Sequence, residues 1–415
     1  MTTNTIDQSV TTGRVEGICD PQFSNVADAF VDNFVRRDEV GASVCVTLDG
    51  ETVVDLWGGL ADPSTKAPWR EDTISTVYSC TKGATALCAH VLAARGQLDI
   101  DAPVTDYWPE YGTKGKDKTT VRMMLDHTAG VPVNRGKLKK GGFHDWDYMA
   151  NKLANERPFW EPGTRSSYHA ITFGWTVGEP VRRISDKSLG TFFQDEIAGP
   201  LGIDFWIGLP EEKEHQVAPL IPPDAAPEGG DPMFLAFLAD PKSVPGRILT
   251  SITADLSPGC HLRADRAAEI GGANGTTNGR GLAGMYAPLA CGGSLRGVEL
   301  VDEDTLVRMS TTCAATLKDG SLQLPVRFAP GYMKSMDNRR NFPGDFSCLM
   351  GVDAFGHVGY GGSVGLADPA CRMSFGYSMN RMGAGILLNE RGQSLVDAVY
   401  RALGYRSNAS GAWIK

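Results

Sequence analysis

At 415 residues the chain has the length of two to three domains of about 150 residues each, and a 42% apolar, 21% charged composition suits an ordinary globular protein. Forty basic against forty-nine acidic residues give a net charge of −9, which leaves no surplus of Lys and Arg to neutralise the phosphates of nucleic acid or an anionic membrane. Eight Trp and the aliphatic content exclude disorder of the whole chain, while 49 Gly and 24 Pro predict many turns and long loops.

Residues 1–16 are polar and Thr-rich, without an apolar stretch after a basic start; a disordered tail is expected there, not a secretory signal. Pro21–Arg37 predicts an opening helix with Phe23, Val26, Ala29, Phe30 and Phe34 on one face. Ala42–Thr47 and Thr52–Leu56 predict strands joined through Asp49-Gly50, a pair suited to the positive φ of a hairpin turn. A second helix is expected from about Ser79 to Arg95, with Ala84, Leu87 and Val91 in one stripe and Gly96 as its stop. From Ile100 to about Leu306 the pattern is mostly helical, broken by turns. Within it Pro210–Pro245 holds eight Pro and cannot be one regular element. Strand-like runs return at Val326–Met333, Phe355–Val358 and Met373–Tyr377, and Ser394–Leu403 predicts a closing helix.

Strands near both ends with helices between them predict an α/β lobe made of residues 17–97 and 315–415. A mostly helical lobe, 98–314, is inserted and carries the Pro-rich loop 210–245. A cleft between two such lobes is a natural ligand site. The most apolar windows, Ala84–Ala94 and Met233–Ala239, fall short of the roughly 18 residues of a membrane span. Nine scattered Cys without metal-ligand spacing are expected to be buried reduced thiols in a cytoplasmic protein, and the net charge is compatible with a monomer or homodimer.

The sharpest local feature is Ser79-Cys80-Thr81-Lys82 at the start of the second helix. Residues three apart share a helix face, so the Ser hydroxyl and Lys amine can meet. A Ser hydroxyl needs a base to become a nucleophile, and a desolvated Lys is one. The helix N-terminus adds unpaired N–H groups for an oxyanion. The plain alternative is a capping Ser with a solvated Lys one turn on. Further along, Pro162-Gly163 leads to Ser166-Ser167-Tyr168-His169, and Gly356-His357-Val358-Gly359-Tyr360-Gly361-Gly362 follows a strand-like run.

With these three segments in this order, the chain resembles the serine β-lactamase and penicillin-binding-protein superfamily, and within it the β-lactamase-like esterases called family VIII carboxylesterases. The first motif, Ser-x-x-Lys, matches Ser79 and Lys82; the second matches Tyr168; the third, Lys-Thr-Gly in β-lactamases and His-x-Gly in many esterases, matches His357-Val358-Gly359. Leu125-Asp126-His127-Thr128-Ala129-Gly130 and Ala273-Asn274-Gly275 are similar to further segments of the family, and the likeness runs from about Asp20 to Tyr405. The resemblance implies an α/β (α+β) fold of the β-lactamase/transpeptidase-like type: an antiparallel sheet flanked by helices with an inserted, mostly helical lobe. It implies Ser79 as acylated nucleophile, Lys82 as proton acceptor and Tyr168 as proton relay. The backbone N–H groups of Ser79 and Tyr360 would form the oxyanion hole, with His357 and Gly359 beside the substrate. It implies no metal and no organic cofactor.

Two departures matter: Ala170 stands where the second motif usually has Asn, and the third motif lacks Lys. Both favour ester hydrolysis over efficient β-lactamase action. The expected substrate is a small carboxylic ester with a short to medium acyl chain. Acyl transfer or D-amino-acid peptidase/β-lactamase activity on the same fold is the alternative, and a non-catalytic penicillin-binding-like protein is the second. Pro180 is expected to kink the helix after Tyr168 or end it early. A decoy, Gly361-Gly362-Ser363-Val364-Gly365, fits Gly-x-Ser-x-Gly, but no His follows it and Leu366–Pro369 looks like a turn, so Ser363 is set aside. His127 is expected to be a packed His, His90 and His261 structural or on the surface, and Met233–Leu238 either an apolar flap or a packed helix.

Overall fold

The strand-forming runs from the two ends of the chain meet in one antiparallel sheet. The computed structural model describes residues 3–224, 226–227 and 229–415. Residues 1 and 2 of the expected tail, and residues 225 and 228 of the Pro-rich loop, lie outside them. The sheet is built from β1 (Asn4–Val10), β2 (Gly13–Cys19), β3 (Gly41–Leu48) and β4 (Glu51–Asp62). It continues with β5 (Ala314–Thr316), β6 (Val326–Ala329), β7 (Tyr332–Met333), β8 (Phe355–Val358), β9 (Val364–Asp368) and β10 (Met373–Met379). In space they run β1-β2-β4-β3-β10-β9-β8-β7-β6-β5, with a short strand, Ala67–Pro68, alongside β4. The β3–β4 hairpin forms because Asp49 and Gly50 both adopt positive φ, 52° and 77°. The two chain ends are stitched together where β10 pairs β3, Tyr377 opposite Val44 and Phe375 opposite Val46.

The helices that position the site are α1 (Ser24–Arg36), α2 (Cys80–Ala94), α3 (Phe173–Ser185), α4 (Pro232–Ala239), α5 (Val244–Asp255), α6 (Gly279–Ala290) and α7 (Glu390–Ala402). One apolar core joins α1 and α7 to the sheet through Phe30, Val44, Leu56, Phe375, Leu395 and Val399. A second gathers α2, α3 and α6 and reaches the sheet at Phe355 and Ala367. Although α6 comes from the middle of the chain, it packs on β10, β9 and β3. The anticipated stripe on α2 is exceeded: every residue from Cys80 to Leu92 is buried, so this helix is a central strut and not a surface element.

Three expectations fail, wholly or in part, for physical reasons. Of the tail expected to be disordered over residues 1–16, the described part instead forms β1 and most of β2, paired from Asn4–Cys19 to Val10–Gly13. Both faces of β1 are largely exposed, so its ladder of backbone hydrogen bonds leaves no apolar alternation in the sequence. Of the turn expected at Leu366–Pro369, residues 366–368 belong to strand β9, buried between β8 and β10, and the turn begins only at Pro369; the turn at Gly361 and Gly362, with φ of 92° and 115°, is as read. Of the kink or early end expected at Pro180, the early end does not occur, since α3 runs on to Ser185. Proline removes a single N–H, and Trp175, Val177 and Val181 hold both sides of it in the core. The stretch Met233–Leu238 is helical, with Met233 packed inward and Phe234, Leu235 and Leu238 exposed. Among the described residues no helix is long and apolar enough to cross a membrane.

Candidate active site

Ser79 occupies the N-cap of α2, yet its side chain makes no capping hydrogen bond. Its Oγ instead meets Lys82 Nζ at 3.0 Å. Lys82 is fully buried and reaches two backbone carbonyls, Ala170 at 2.7 Å and Gly272 at 2.5 Å, with no carboxylate among its partners in the described residues. The plain alternative of a capping Ser and a solvated Lys is therefore overturned. Desolvation pushes the Lys82 pKa well below the ordinary lysine value. A neutral amine has two hydrogens and one lone pair. With the hydrogens on the two carbonyls, the lone pair is left for the Ser79 hydroxyl. Just before Ser79, Tyr78 holds a φ of 42°, a costly conformation for a bulky residue that sets Ser79 at the end of the helix.

Tyr168 comes from the segment between the inserted helices. Lys82 Nζ lies 4.7 Å from the centre of its ring. The phenol hydroxyl is buried and has no well-formed hydrogen bond among the described residues. Burial raises its pKa, an effect partly offset by the neighbouring Ser79 hydroxyl.

The third segment closes the site from the sheet. The His357 carbonyl accepts a hydrogen bond from Cys80 Sγ at 3.3 Å, which pins the end of β8 to the start of α2. The His357 ring lies 6.1 Å from that of Tyr168. Its Nδ1–H donates to the Val358 carbonyl at 2.8 Å, so Nε2 is left as a buried acceptor without a partner among the described residues. At Gly359 a Cβ would fall 2.2 Å from the Val77 carbonyl oxygen, so only glycine permits β8 to approach the nucleophile turn this closely. Tyr360 follows, with its ring edge-on to Tyr78 at 5.5 Å. Neither Ser79 N–H nor Tyr360 N–H donates a hydrogen bond to the described residues, leaving two free donors at this junction. Ser363 is buried and donates to the Val77 carbonyl at 3.1 Å, a structural task that ties the turn after β8 to the segment before α2.

The structure thus brings Ser79, Lys82, Tyr168, His357, Gly359 and Tyr360 together, whereas His90 lies elsewhere. Sequence reasoning missed the carbonyls of Ala170 and Gly272, because any residue type supplies a carbonyl. The stretch Ala273-Asn274-Gly275 was the one available hint: Asn274 is fully buried, donates to the Asp265 and Ala268 carbonyls and accepts from Ile270 N, shaping the turn that presents Gly272. It also missed Asp319, whose carboxylate accepts from Tyr168 N. Among the described residues no group of three or more His, Cys, Asp and Glu could hold a metal ion.

Four buried histidines stay neutral in the fold. His127 packs against Tyr168, Phe173 and Phe328 and accepts from His169 N at its Nδ1. Burial lowers His169 and His357 to about 3 and His90 to about 4. Unfolded, each ring takes a proton near pH 6.5, so the unfolded chain binds more protons between that value and the lowered one. Their stabilisation is complete above about pH 6.5 and is lost as pH falls toward 4. His90, which bonds the Pro330 carbonyl away from the catalytic groups, isolates the effect from buried carboxylates such as Asp319, whose raised pKa acts in the opposite direction. The Tm gap between the parent and His90→Gln is expected to narrow from pH 7 to pH 4. A gap independent of pH contradicts the assignment.

Comparison with known proteins matches residues 26–397 to the family described as Beta-lactamase. The chain is 34% identical over 385 residues to the esterase/beta-lactamase LipL of Mycobacterium tuberculosis, covering 91% of this chain and 85% of that one. The crystal structure of a family VIII carboxylesterase superposes with a TM-score of 0.82 at 38% identity, covering 94% of this chain and 99% of that chain. A penicillin-binding protein homolog from Caulobacter crescentus gives the same TM-score at 32% identity, with the same coverage.

Proposed function

Since the chain belongs to the beta-lactamase family, we propose that it is a serine esterase of the family VIII type, which cleaves small carboxylic esters with short to medium acyl chains through an acyl-enzyme on Ser79. The observation that carries this reading is the 3.0 Å contact between Ser79 Oγ and a fully buried Lys82 that has no acidic partner among the described residues. Ser79 Oγ attacks the ester carbonyl as its proton passes to the lone pair of Lys82. The free N–H groups of Ser79 and Tyr360 receive the developing oxyanion. Tyr168 carries the proton from the Lys82 side to the departing alcohol, and the same groups then activate the water that releases the acid.

The surroundings favour an uncharged acyl group. Ala170 packs against a cluster of Val133, Met233 and Ile248, joined by Phe159. His357, which closes the site from the sheet, is held neutral by burial and so offers no positive charge to a substrate carboxylate. A panel of p-nitrophenyl esters from acetyl to palmitoyl, with nitrocefin and a D-Ala-D-Ala peptide, tests the proposal. Hydrolysis is expected to peak at short to medium chains, with nitrocefin and the peptide slower by about 10²-fold or more. Equal rates on the peptide or nitrocefin would overturn the ester assignment, and a palmitoyl optimum would overturn the chain length.

A further inference from the structure

We infer that Asp319 is the positioning residue for Tyr168, holding the phenol beside Ser79 and Lys82 by gripping the backbone of its loop; the inference rests on the relay assigned to Tyr168 above. Asp319 is fully buried, and no Lys, Arg or His among the described residues pairs with it. Its charge is met by hydrogen-bond donors alone. Oδ1 accepts from Tyr168 N at 2.9 Å, Ser321 N at 2.9 Å and Leu322 N at 3.0 Å. Oδ2 accepts from Ser166 Oγ at 3.0 Å and shares the Tyr168 N–H at 3.1 Å.

The carboxylate is therefore the knot between two turns, residues 166–168 and 319–322. Further contacts bind the same two segments: Gly320 N donates to the Ser166 carbonyl at 3.1 Å, and the hydroxyls of Ser167 and Ser321 lie 2.7 Å apart. A Cβ at position 320 would stand 2.8 Å from Ser167 Oγ, so glycine is what lets the turns close on each other. A carboxylate suits this place because every group facing it is a donor. An amide would turn an N–H toward one of them and leave a buried donor unpaired. Burying an anion without a cation is a costly choice for stability alone, and apolar residues fill such space more cheaply. What the arrangement secures is the position of one backbone N–H, that of the residue whose side chain faces the nucleophile.

Asp319→Asn and Tyr168→Phe, singly and combined, test this on p-nitrophenyl acetate with folding checked by circular dichroism. Asp319→Asn is expected to lower kcat about 10-fold with KM nearly unchanged, and to cost less than about 2-fold in the Tyr168→Phe background. An equal loss in both backgrounds means that Asp319 does not act through the phenol, and overturns the inference alone. A harmless Tyr168→Phe removes the relay, and the inference falls with it. Should Asp319→Asn fail to fold, Ser166→Ala, which deletes one of the donors, takes its place: a smaller fall in kcat that vanishes in the Tyr168→Phe background supports the inference, and a fall that persists there overturns it.

Discussion

Replacing Ser79 by Ala is expected to lower turnover of a p-nitrophenyl ester on the order of 10⁴-fold or more and to abolish labelling by a fluorophosphonate, with the fold intact. Stability is spared because the Ser79 side chain caps nothing, so the roughly 1 kcal/mol attached to an N-cap hydroxyl is not at stake. The chemistry is not spared, since the hydroxyl that meets Lys82 is lost. Ser363→Ala is the informative control. Its hydroxyl is spent on the Val77 carbonyl, and its loss removes about 1 kcal/mol of buried hydrogen bonding while most of the activity remains. Wild-type rates in Ser79→Ala beside a dead Ser363→Ala would reverse the assignment.

Lys82→Met, which keeps the length of the side chain without its amine, is expected to cost about 10³-fold in kcat, within the usual worth of a positioned base. The pH profile carries the sharper signature. A base works in its neutral form, so activity is present above the depressed pKa of Lys82 and is lost as pH falls through it. The residual rate of Lys82→Met should lack that acid limb. If the limb survives unchanged, another group is the base, and the contact between Lys82 and Ser79 is only structural.

Much of this site can be read in the chain because its chemistry depends on side chains. Ser79 and Lys82 sit one helical turn apart, and Tyr168 and His357 stand in segments with recognisable neighbours. The groups that hold them are harder to see. Gly272 and Ala170 act through carbonyl oxygens, which no residue type announces. Asp319 meets its target across 151 positions, and nothing near it in sequence hints at that meeting. The same division runs through the fold. Strands β3 and β8 carry apolar residues that mark them, whereas β1 is largely exposed, with only Ile6 and Val10 set against the core, and β9 hides beside a glycine-rich turn. Pro180 misleads in the opposite direction, because a local penalty is outweighed by packing that only the assembled core supplies.

The hydrogen bond from Cys80 to the carbonyl of His357 spans 277 positions, and the sheet closes by pairing β3 with β10 across a similar distance. Contacts of such high order form late, because most of the loop-closure entropy must be lost before any of them is rewarded. Refolding should therefore be slow, and catalytic competence should return only in its last phase, after helical signal has already recovered. Neither half of the chain holds a partial enzyme: a fragment ending before β8 keeps Ser79, Lys82 and Tyr168 but lacks His357 and the backbone donor at Tyr360. Regain of esterase activity is thus a report on the final docking of the two chain ends.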